Sequence, residues 1–142
     1  MENNITFAII KPDAIKNNYT GLIIDHILKS NFKILTAKLI KMTLKQAEGF
    51  YDIHKDKPFF SELTEFMSSD KCMVLALSKE NAVEEWRKTI GSTNPKEAAE
   101  GTIRKLYATS LGENAVHGSD SDANAIKEIN FFFSSSDLIN NR

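Results

Sequence analysis

The sequence predicts an α+β protein of the ferredoxin-like βαββαβ type, with an antiparallel sheet covered on one face by helices and a long loop before the last strand. Two apolar runs, residues 5–10 and 72–77, have the β-branched or continuous apolar character of buried strands. Segments with apolar residues at helical spacing follow both runs. A third segment, residues 91–114, is interrupted by proline and glycine, which is typical of a long functional connection.

Length and composition indicate one domain over residues 1–142, large enough to bury a core. Hydrophobic residues make up 42% of the chain, and a formal net charge of -1 gives no general attraction to nucleic acid. The sequence has no apolar stretch of the roughly 18 residues that span a membrane and no signal-peptide pattern, so we expect a cytoplasmic protein. The one cysteine, Cys72, lies in an apolar run and is predicted to be a buried, unreactive thiol.

The first strand, residues 5–10, ends before Pro12, which leaves Lys11 either pointing into a cleft above the sheet or lying at a loop edge. Thr20 is predicted to cap a helix. His26 lies off the apolar stripe of this helix and is predicted to be a solvated surface residue. The stripe consists of Ile23, Ile24, Ile27 and Leu28.

Residues 32–42 predict a strand with one apolar and one mixed face, as in an edge or interface strand. Its apolar face is expected to hold Leu35, Ala37 and Leu39. Thr43 and Gln46 have capping-box spacing, so a helix is predicted over residues 43–55. Pro58 is predicted to start a second helix over residues 59–67. The second helix is expected to turn Leu63, Phe66 and Met67 inwards. Three side chains surround the turn of this hairpin, either as core or as part of a site: Tyr51, His54 and Phe59.

The second half of the chain begins with the continuous apolar run 72–77, which is typical of a central strand. Ser78 is predicted to cap the next helix, and Gly91 to close it. The core face of that helix is expected to hold Val83, Trp86 and Ile90. The remaining predicted elements are a short helix near 102–108, a short strand carrying His117, a helix over 121–133 and a short piece at 136–139.

His117 is the residue on which the chemistry of the chain is predicted to centre. It precedes a helix start at which either Ser119 or Ser121 is the N-cap. A helix N-terminus offers free N–H groups and the positive end of the helix dipole, and both favour a phosphate. A neutral imidazole can attack phosphorus, and its phosphoramidate is comparable in transfer potential to a nucleoside triphosphate. Such a histidine suits reversible ping-pong phosphate transfer, although a histidine taken alone is more often structural.

Arginine is scarce, which makes its positions informative. Only three of the 18 basic residues are arginines, and two of them, Arg87 and Arg104, lie in the interior of the sequence. The planar guanidinium fits phosphate, and the hydroxyl of Thr93 could assist; ordinary surface charge is the alternative. The chain lacks both a P-loop and a zinc-binding motif, so a Mg²⁺ ion would arrive on the nucleotide.

Five motifs resemble, in order, those of the nucleoside diphosphate kinases. They are Ile10-Lys11-Pro12-Asp13-Ala14, Tyr51 through Lys57-Pro58-Phe59-Phe60, Gly91-x-Thr93-Asn94-Pro95, Gly101-Thr102-Ile103-Arg104 and Asn114-x-x-His117-Gly118-Ser119-Asp120. The resemblance implies transfer of the γ-phosphate of a nucleoside triphosphate, mainly ATP, to a nucleoside diphosphate. It also implies a phosphohistidine on His117, broad base tolerance, Mg²⁺ as cofactor and a role in maintaining nucleotide pools.

The same resemblance implies a role for each matching residue. His117 would be the nucleophile, Glu128 would hydrogen-bond its other ring nitrogen and fix the tautomer, and Ser119 would lie beside them. Phe59 would stack on the base, which Leu63 would also hold. The implied contacts with sugar hydroxyls and nearby phosphate oxygens are Lys11 and Asn114. Those on the phosphate side are Tyr51, His54, Arg87, Thr93 and Arg104. The catalytic set is His117, Glu128, Ser119, Lys11 and Tyr51.

Some positions depart from the commoner pattern of the family: Ile53, where many members carry an acid, Glu100, and Lys105-Leu106 after Arg104. We expect these departures to affect the packing of loops and the contacts between subunits more than the reaction. The family forms tetramers and hexamers from a common dimer, which implies a homo-oligomer without choosing between them. The chain ends without the longer extension of many eukaryotic members, which suggests the bacterial type.

Two other classes of function are open on the residues. A non-catalytic nucleotide- or RNA-binding module would carry aromatics on its strands and a basic patch, whereas the strands here are mainly aliphatic and the charge is balanced. A regulatory descendant of the kinase would have lost the histidine or its phosphate ligands. Both are less favoured than the enzyme.

Overall fold

Four strands form one antiparallel sheet in the order β2-β3-β1-β4. The computed structural model describes residues 4–139, with the backbone alone for Ile139, so residues 1–3 and 140–142 of the predicted domain lie outside the described residues. The strands are β1 (Ile5–Ile10), β2 (Lys33–Ile40), β3 (Cys72–Ser78) and β4 (Val116–Gly118). One edge of β1 pairs with β3 and the other with β4, where Ile9 lies opposite His117. The predicted antiparallel sheet is confirmed.

Helices connect the strands and follow the last one. Within residues 4–139 they are α1 (Pro12–Lys16), α2 (Thr20–Lys29), α3 (Leu44–Phe50), α4 (Phe60–Ser68), α5 (Ala82–Ile90), α6 (Ile103–Tyr107), α7 (Asp122–Phe132) and α8 (Ser135–Ile139), with a 3-10 turn at Asp52–His54. The predicted βαββαβ order with insertions is confirmed. None of these helices is long and apolar enough to cross a membrane.

Helices cover both faces of the sheet, so the prediction of one covered face is wrong. Ala8 and Ile10 of β1 join an apolar cluster with side chains from α1, α2, α5 and α6. Phe7 and Ile9 point the other way, into a second cluster with side chains from α3, α4 and α7. Because both faces are buried, β1 and β3 are almost entirely apolar, as predicted for central strands.

Cys72 lies at the start of β3 in the second cluster and is fully buried. Burial raises the pKa of its thiol to about 12, so the thiolate is disfavoured. The prediction of a buried, unreactive cysteine is confirmed.

β2 is an edge strand among the described residues, as predicted, because it pairs only with β3. Its faces were predicted wrongly. A β-bulge between Ile34 and Thr36 adds one residue, so Leu35 is buried in the second cluster, whereas Leu39 lies towards the other face and is half exposed. An inserted residue reverses the alternation of side chains, and a strict period of two cannot anticipate it.

Several predicted helix ends are confirmed. The Thr43 and Gln46 side chains form the expected capping box at α3. Gly91 closes α5 with a positive φ of 88°. Ser121, rather than Ser119, caps α7 by accepting a hydrogen bond from the Asn124 N–H.

Other predicted ends are wrong. Thr20 begins α2 without a side-chain cap bond, and Ser78 still belongs to β3, since α5 begins only after Asn81. The first hairpin helix ends at Phe50 rather than near Lys55, whereas the second, Phe60–Ser68, lies within one residue of its predicted bounds. The short helix α1 was not predicted, and His26 has an intermediate exposure at the surface of α2.

Candidate active site

His117 is held by a carboxylate from α7. Its Nε2 lies 2.9 Å from Oε1 of Glu128, and the hydroxyl of Ser119 donates to the same oxygen at 2.7 Å. A carboxylate only accepts hydrogen bonds, so Nε2 carries the proton and Nδ1 keeps its lone pair. The side chains of His117 and Glu128 are only 18% and 17% exposed, which strengthens their interaction. The imidazole is thus fixed with Nδ1 as its free nitrogen.

Side chains from two other helices hold the short strand β4. The indole N–H of Trp86 donates to the His117 carbonyl at 3.1 Å. Arg104 donates to the carbonyls of Val116 and Gly91, at 2.9 and 3.0 Å. A side chain at Gly118 would place its Cβ 2.8 Å from the Trp86 ring, so only glycine fits there without a shift. The position of β4 is therefore fixed by hydrogen bonds from α5 and α6 and by close packing at Gly118.

Aromatic rings surround the imidazole. The ring centroids of Phe50, Phe7 and Tyr51 lie 5.5, 6.0 and 6.2 Å from that of His117, all in edge-on orientations. Tyr51 is buried, and its hydroxyl has no hydrogen-bond partner among the described residues. Burial raises the pKa of the Tyr51 phenol far above its ordinary value, so the hydroxyl stays protonated and able to donate.

Lys11 and Asn114 form a buried pair beside the histidine. The Lys11 ammonium donates to Asn114 Oδ1 at 2.8 Å. Burial, and then the charge of Arg104, lower the pKa of Lys11 to about 8, while Asp13 opposes the shift. The Asn114 amide nitrogen reaches towards the Thr93 carbonyl at 3.5 Å. A buried ammonium in this place is costly unless an anion accompanies it.

His117 lies at the junction of two clefts. The first, the aromatic cleft, has a volume of about 200 Å³. The predicted site residues that line it are Lys11, Tyr51, His54, Phe59, Leu63, His117 and Glu128. The second, the arginine cleft, has a volume of about 640 Å³. The predicted site residues that line it are Arg87, Thr93, Arg104 and His117. The two remaining predicted site residues, Asn114 and Ser119, are buried and line neither cleft.

The outer lip of the aromatic cleft is apolar. Phe59 is 47% exposed, its ring lies 5.5 Å from that of His54, and Leu63 lies deeper. Ile53 also lines this cleft and is 70% exposed. Exposed apolar side chains around a concave opening fit a flat, partly apolar ligand.

The arginine cleft is electropositive. Burial lowers the pKa of Arg104 to about 10, and the charge of Arg87 acts in the same direction. The Nε of Arg104 is buried and has no partner among the described residues. Two guanidinium groups that repel each other across an open cleft favour an anion between them.

Sequence reasoning missed three residues that shape the site. Asp13 is buried and accepts the Ala115 N–H at 3.0 Å. Trp86 was predicted only as core, although a buried indole N–H usually finds a partner. Phe50 lies at the end of α3, and its residue type does not reveal its contact with His117. Only the Trp86 donor could have been suspected from its residue type.

Known proteins resemble this chain over almost its whole length. A sequence model described as nucleoside diphosphate kinase matches residues 4–138. The nucleoside diphosphate kinase of Lawsonia intracellularis (strain PHE/MN1-00) is 54% identical over 134 residues, covering 94% of this chain and 97% of the relative. That of Erythrobacter litoralis (strain HTCC2594) is 52% identical over 134 residues, covering 94% and 96%.

Solved structures agree. The Aquifex aeolicus nucleoside diphosphate kinase superposes with a TM-score of 0.94 at 38% identity, covering 96% of this chain and 99% of that one. The Halobacterium salinarum enzyme in complex with CDP has a TM-score of 0.92 at 30% identity, covering 96% and 91%. The predicted resemblance is confirmed on both sequence and fold, and the chain belongs to the nucleoside diphosphate kinase family of enzymes.

Proposed function

We propose that this chain transfers the γ-phosphate of a nucleoside triphosphate, mainly ATP, to a nucleoside diphosphate through a phosphohistidine on His117, in a ping-pong sequence. The observation that carries the proposal is the 2.9 Å hydrogen bond from Nε2 to Glu128, which leaves Nδ1 free between the two clefts. A nucleotide in the aromatic cleft can then direct its phosphates at Nδ1.

In the first half-reaction the Nδ1 lone pair attacks the γ-phosphorus. The N–P bond forms while the bond from phosphorus to the β,γ-bridging oxygen breaks, and that oxygen leaves with the electron pair on the nucleoside diphosphate. The ring becomes positively charged, and Glu128 stabilises it through Nε2–H. In the second half-reaction a β-phosphate oxygen of the acceptor attacks the same phosphorus, and the N–P electrons return to Nδ1.

Charge neutralisation supplies most of the remaining catalysis, because phosphoryl transfer depends mainly on alignment and electrostatics. Arg87, Arg104 and Thr93 bind the phosphates from the arginine cleft, and His54 contributes from the hairpin. Lys11 and the Tyr51 hydroxyl contact the transferred group from the other side. Ser119 acts through its hydrogen bond to Glu128.

The cofactor proposed is Mg²⁺, carried by the nucleotide phosphates. The site is rich in cationic side chains, and residues 4–139 contain no group of three or more His, Cys, Asp or Glu side chains that could hold a metal. This donor set fits an ion that takes its ligands mainly from phosphate and water. When bound to the nucleotide, Mg²⁺ would supply positive charge that stabilises its phosphates.

Base tolerance follows from the apolar lip. Phe59 stacks on the base and Leu63 supports it, and since every base has a π-face this contact discriminates little. Lys11 and Asn114 contact the sugar hydroxyls and nearby phosphate oxygens. Base tolerance in this arrangement needs no hydrogen-bond readout of the base edge.

The proposed setting is the cytoplasm, where the enzyme maintains nucleoside and deoxynucleoside triphosphate pools without needing nucleic acid or membrane. We also propose that residues 1–142 are one domain, which assembles as a tetramer or hexamer built from dimers. Among residues 4–139, one edge of β2 pairs with no other strand, and this edge, with Leu39 half exposed, supports self-association. Analytical ultracentrifugation checks the assembly, and a monomer at micromolar concentration contradicts it.

The mechanism is tested with ATP labelled in its γ-phosphate, supplied with Mg²⁺ and no acceptor. We expect acid-labile, base-stable label on the wild-type chain, removed by any of several nucleoside diphosphates and absent in His117→Ala. His26→Ala, a histidine on α2 outside both clefts, is the matched control and should label normally. Wild-type protein that binds ATP but takes up no label overturns the proposal and favours a binding module.

A further inference from the structure

The peptide unit of Ala115 lies in an unusual conformation next to the site. Ala115 has a φ of 72°, in the left-handed region that residues other than glycine rarely adopt. It immediately follows Asn114 and precedes β4, which carries His117. A conformation of this kind persists only when its surroundings hold it.

Residues 11–13 hold both polar groups of Ala115. The Lys11 backbone N–H donates to the Ala115 carbonyl at 2.8 Å. The Ala115 N–H donates to Oδ2 of Asp13 at 3.0 Å. Among the residues that the structure describes, Asp13 supplies the one side-chain hydrogen bond to Ala115, and it reaches across from the first turn of α1. Loss of its carboxylate would leave a buried N–H without a partner.

The turn at Ala115 sets the direction of Asn114, whose side chain accepts the hydrogen bond from the Lys11 ammonium. Asp13 therefore acts on both members of the Lys11–Asn114 pair. It fixes the backbone beneath Asn114, and its charge favours the ammonium of Lys11. Its second oxygen, Oδ1, is buried and makes no hydrogen bond among the described residues.

We propose that Asp13 is a positioning residue of the nucleotide site, whose carboxylate holds the Ala115 turn so that Asn114 and Lys11 face the substrate and whose charge supports the Lys11 ammonium. The proposal rests on the function proposed above. Asp13 is buried and its Oδ2 is engaged by the Ala115 N–H, so it acts through its two neighbours rather than by touching the substrate.

The charge part of the proposal has a measurable sign. Burial and Arg104 lower the pKa of Lys11 to about 8, and Asp13 raises it. Glu113 is the further charge that acts on Asp13. The other titratable side chains of the cleft that Lys11 lines are Tyr51, His54, His117, Asp120 and Glu128. Neutralising Asp13 lowers the pKa of Lys11 further, so the ammonium is lost at a lower pH.

The experiment compares Asp13→Asn, Asp13→Ala and the wild type. Asparagine keeps an oxygen for the Ala115 N–H but removes the charge, whereas alanine removes both. We expect the alkaline limb of kcat/KM for the nucleoside triphosphate, which reports the unphosphorylated enzyme and lies near pH 8 in the wild type, to move at least half a unit lower in D13N. D13A should lose tenfold or more of kcat/KM at every pH.

Asp25→Asn is the matched control, because Asp25 is an exposed acid on α2 outside both clefts and the substitution is the same. Adding Ala115→Gly to D13A should restore part of the lost kcat/KM, since glycine adopts the left-handed conformation unaided. An unshifted limb in D13N, or a D13A variant with wild-type kcat/KM, overturns the proposal.

A second readout does not depend on turnover. The Lys11 side chain, followed by ¹³Cε chemical shift, should titrate at a lower pH in D13N than in the wild type. If the wild type proves inactive as a kinase, this titration still tests the role of Asp13, so failure of the two proposals can be told apart. If Lys11 titrates at the same pH in D13N and in the wild type, the charge part of the proposal is overturned. This comparison holds even if D13A does not fold.

Discussion

A single oxygen atom, Oε1 of Glu128, accepts hydrogen bonds from both the His117 ring and the Ser119 hydroxyl. This shared acceptor decides which ring nitrogen keeps its lone pair. The imidazole has little freedom to choose otherwise, because Phe50, Phe7 and Tyr51 pack around it. The reactivity proposed for His117 is therefore a property of its neighbours as much as of its own ring.

Glu128→Gln should slow formation of the phosphohistidine about 10²- to 10⁴-fold. An amide N–H facing Nε2 favours the tautomer with the proton on Nδ1, which blocks the attacking lone pair. Rapid-quench measurement of label uptake from γ-labelled ATP checks this. Glu65→Gln, at an exposed position on α4, is the control, and an E128Q rate within twofold of wild type would rule the tautomer argument out.

Ile53→Glu should raise KM for nucleotides by about threefold to tenfold and change kcat little, because it adds a negative charge and removes an apolar contact at the lip of the aromatic cleft. Steady-state kinetics with a purine and a pyrimidine diphosphate check the split. Leu44→Glu, an exposed leucine on α3 that lines neither cleft, is the control. A large fall in kcat at constant KM contradicts this role for Ile53.

Individual site residues were predictable to different degrees. His117, Arg87 and Arg104 stand out by residue type and scarcity, and the structure brings them to one junction. Asp13 stands out in the sequence only as part of a motif, since its hydrogen bond spans 102 residues of sequence and no local pattern carries that information.

Among the secondary-structure elements, α3 offers a test of how much its cap contributes. Thr43→Ala should lower the free energy of unfolding by about 1 kcal/mol, because it removes the capping box. Thr20→Ala, at the start of α2, should change it by less than half as much, since Thr20 makes no cap bond. Urea unfolding measures the free energy of unfolding of both variants. Equal losses of stability in the two would show that the side-chain cap of α3 does not cause the loss in Thr43→Ala.

The junction between α5 and α6 depends on Gly91. An alanine there would keep a φ of 88° and put its Cβ 2.6 Å from Thr102 Oγ1, so Gly91→Ala should destabilise the fold by about 1–3 kcal/mol. Gly112→Ala, with no heavy atom within 4 Å, should stay within about 0.5 kcal/mol of wild type. Thermal unfolding checks both; an unchanged Tm in G91A contradicts the expectation.

The elements themselves were largely predictable, because apolar periodicity reflects burial directly. Their boundaries were less so. Ser78 is an acceptable cap by residue type, but its pairing with Ile5 and Lys33 keeps it in the sheet. The bulge at Leu35 likewise arises from pairing with a neighbouring strand, which sequence periodicity does not record.

For the whole molecule, the cover on the second face of the sheet is also where the site is built. α7 carries Glu128 and the α3–α4 hairpin carries the aromatic lip, and both belong to that second layer. A minimal βαββαβ pattern has no such layer. The insertions therefore distinguish this chain from other proteins of similar topology and supply most of its aromatic cleft.

Burial of Lys11 makes the stability of the whole fold depend on pH. Its pKa is about 8 in the folded chain against an ordinary 10.5, so the folded state holds fewer protons between these values and gains stability as pH rises through them. Lys11→Met removes this term. Its free energy of unfolding relative to wild type should therefore fall by up to about 3 kcal/mol between pH 8 and 10.5.

Denaturant unfolding of both proteins at several pH values measures this difference. Cys72, whose raised pKa opposes the trend above pH 9, is present in both chains and cancels. A difference that does not vary with pH means that Lys11 titrates normally.

The hydrogen bonds that join Lys11 to Asn114 and Asp13 to Ala115 connect residues 103 and 102 positions apart. During synthesis, the first partner of each pair leaves the ribosome long before the second. The site residues of the first strand and α1 therefore stay exposed and without these partners until β4 has emerged and can dock against β1. A nascent chain cannot bind nucleotide in the proposed manner before that moment, so activity requires that translation has passed β4.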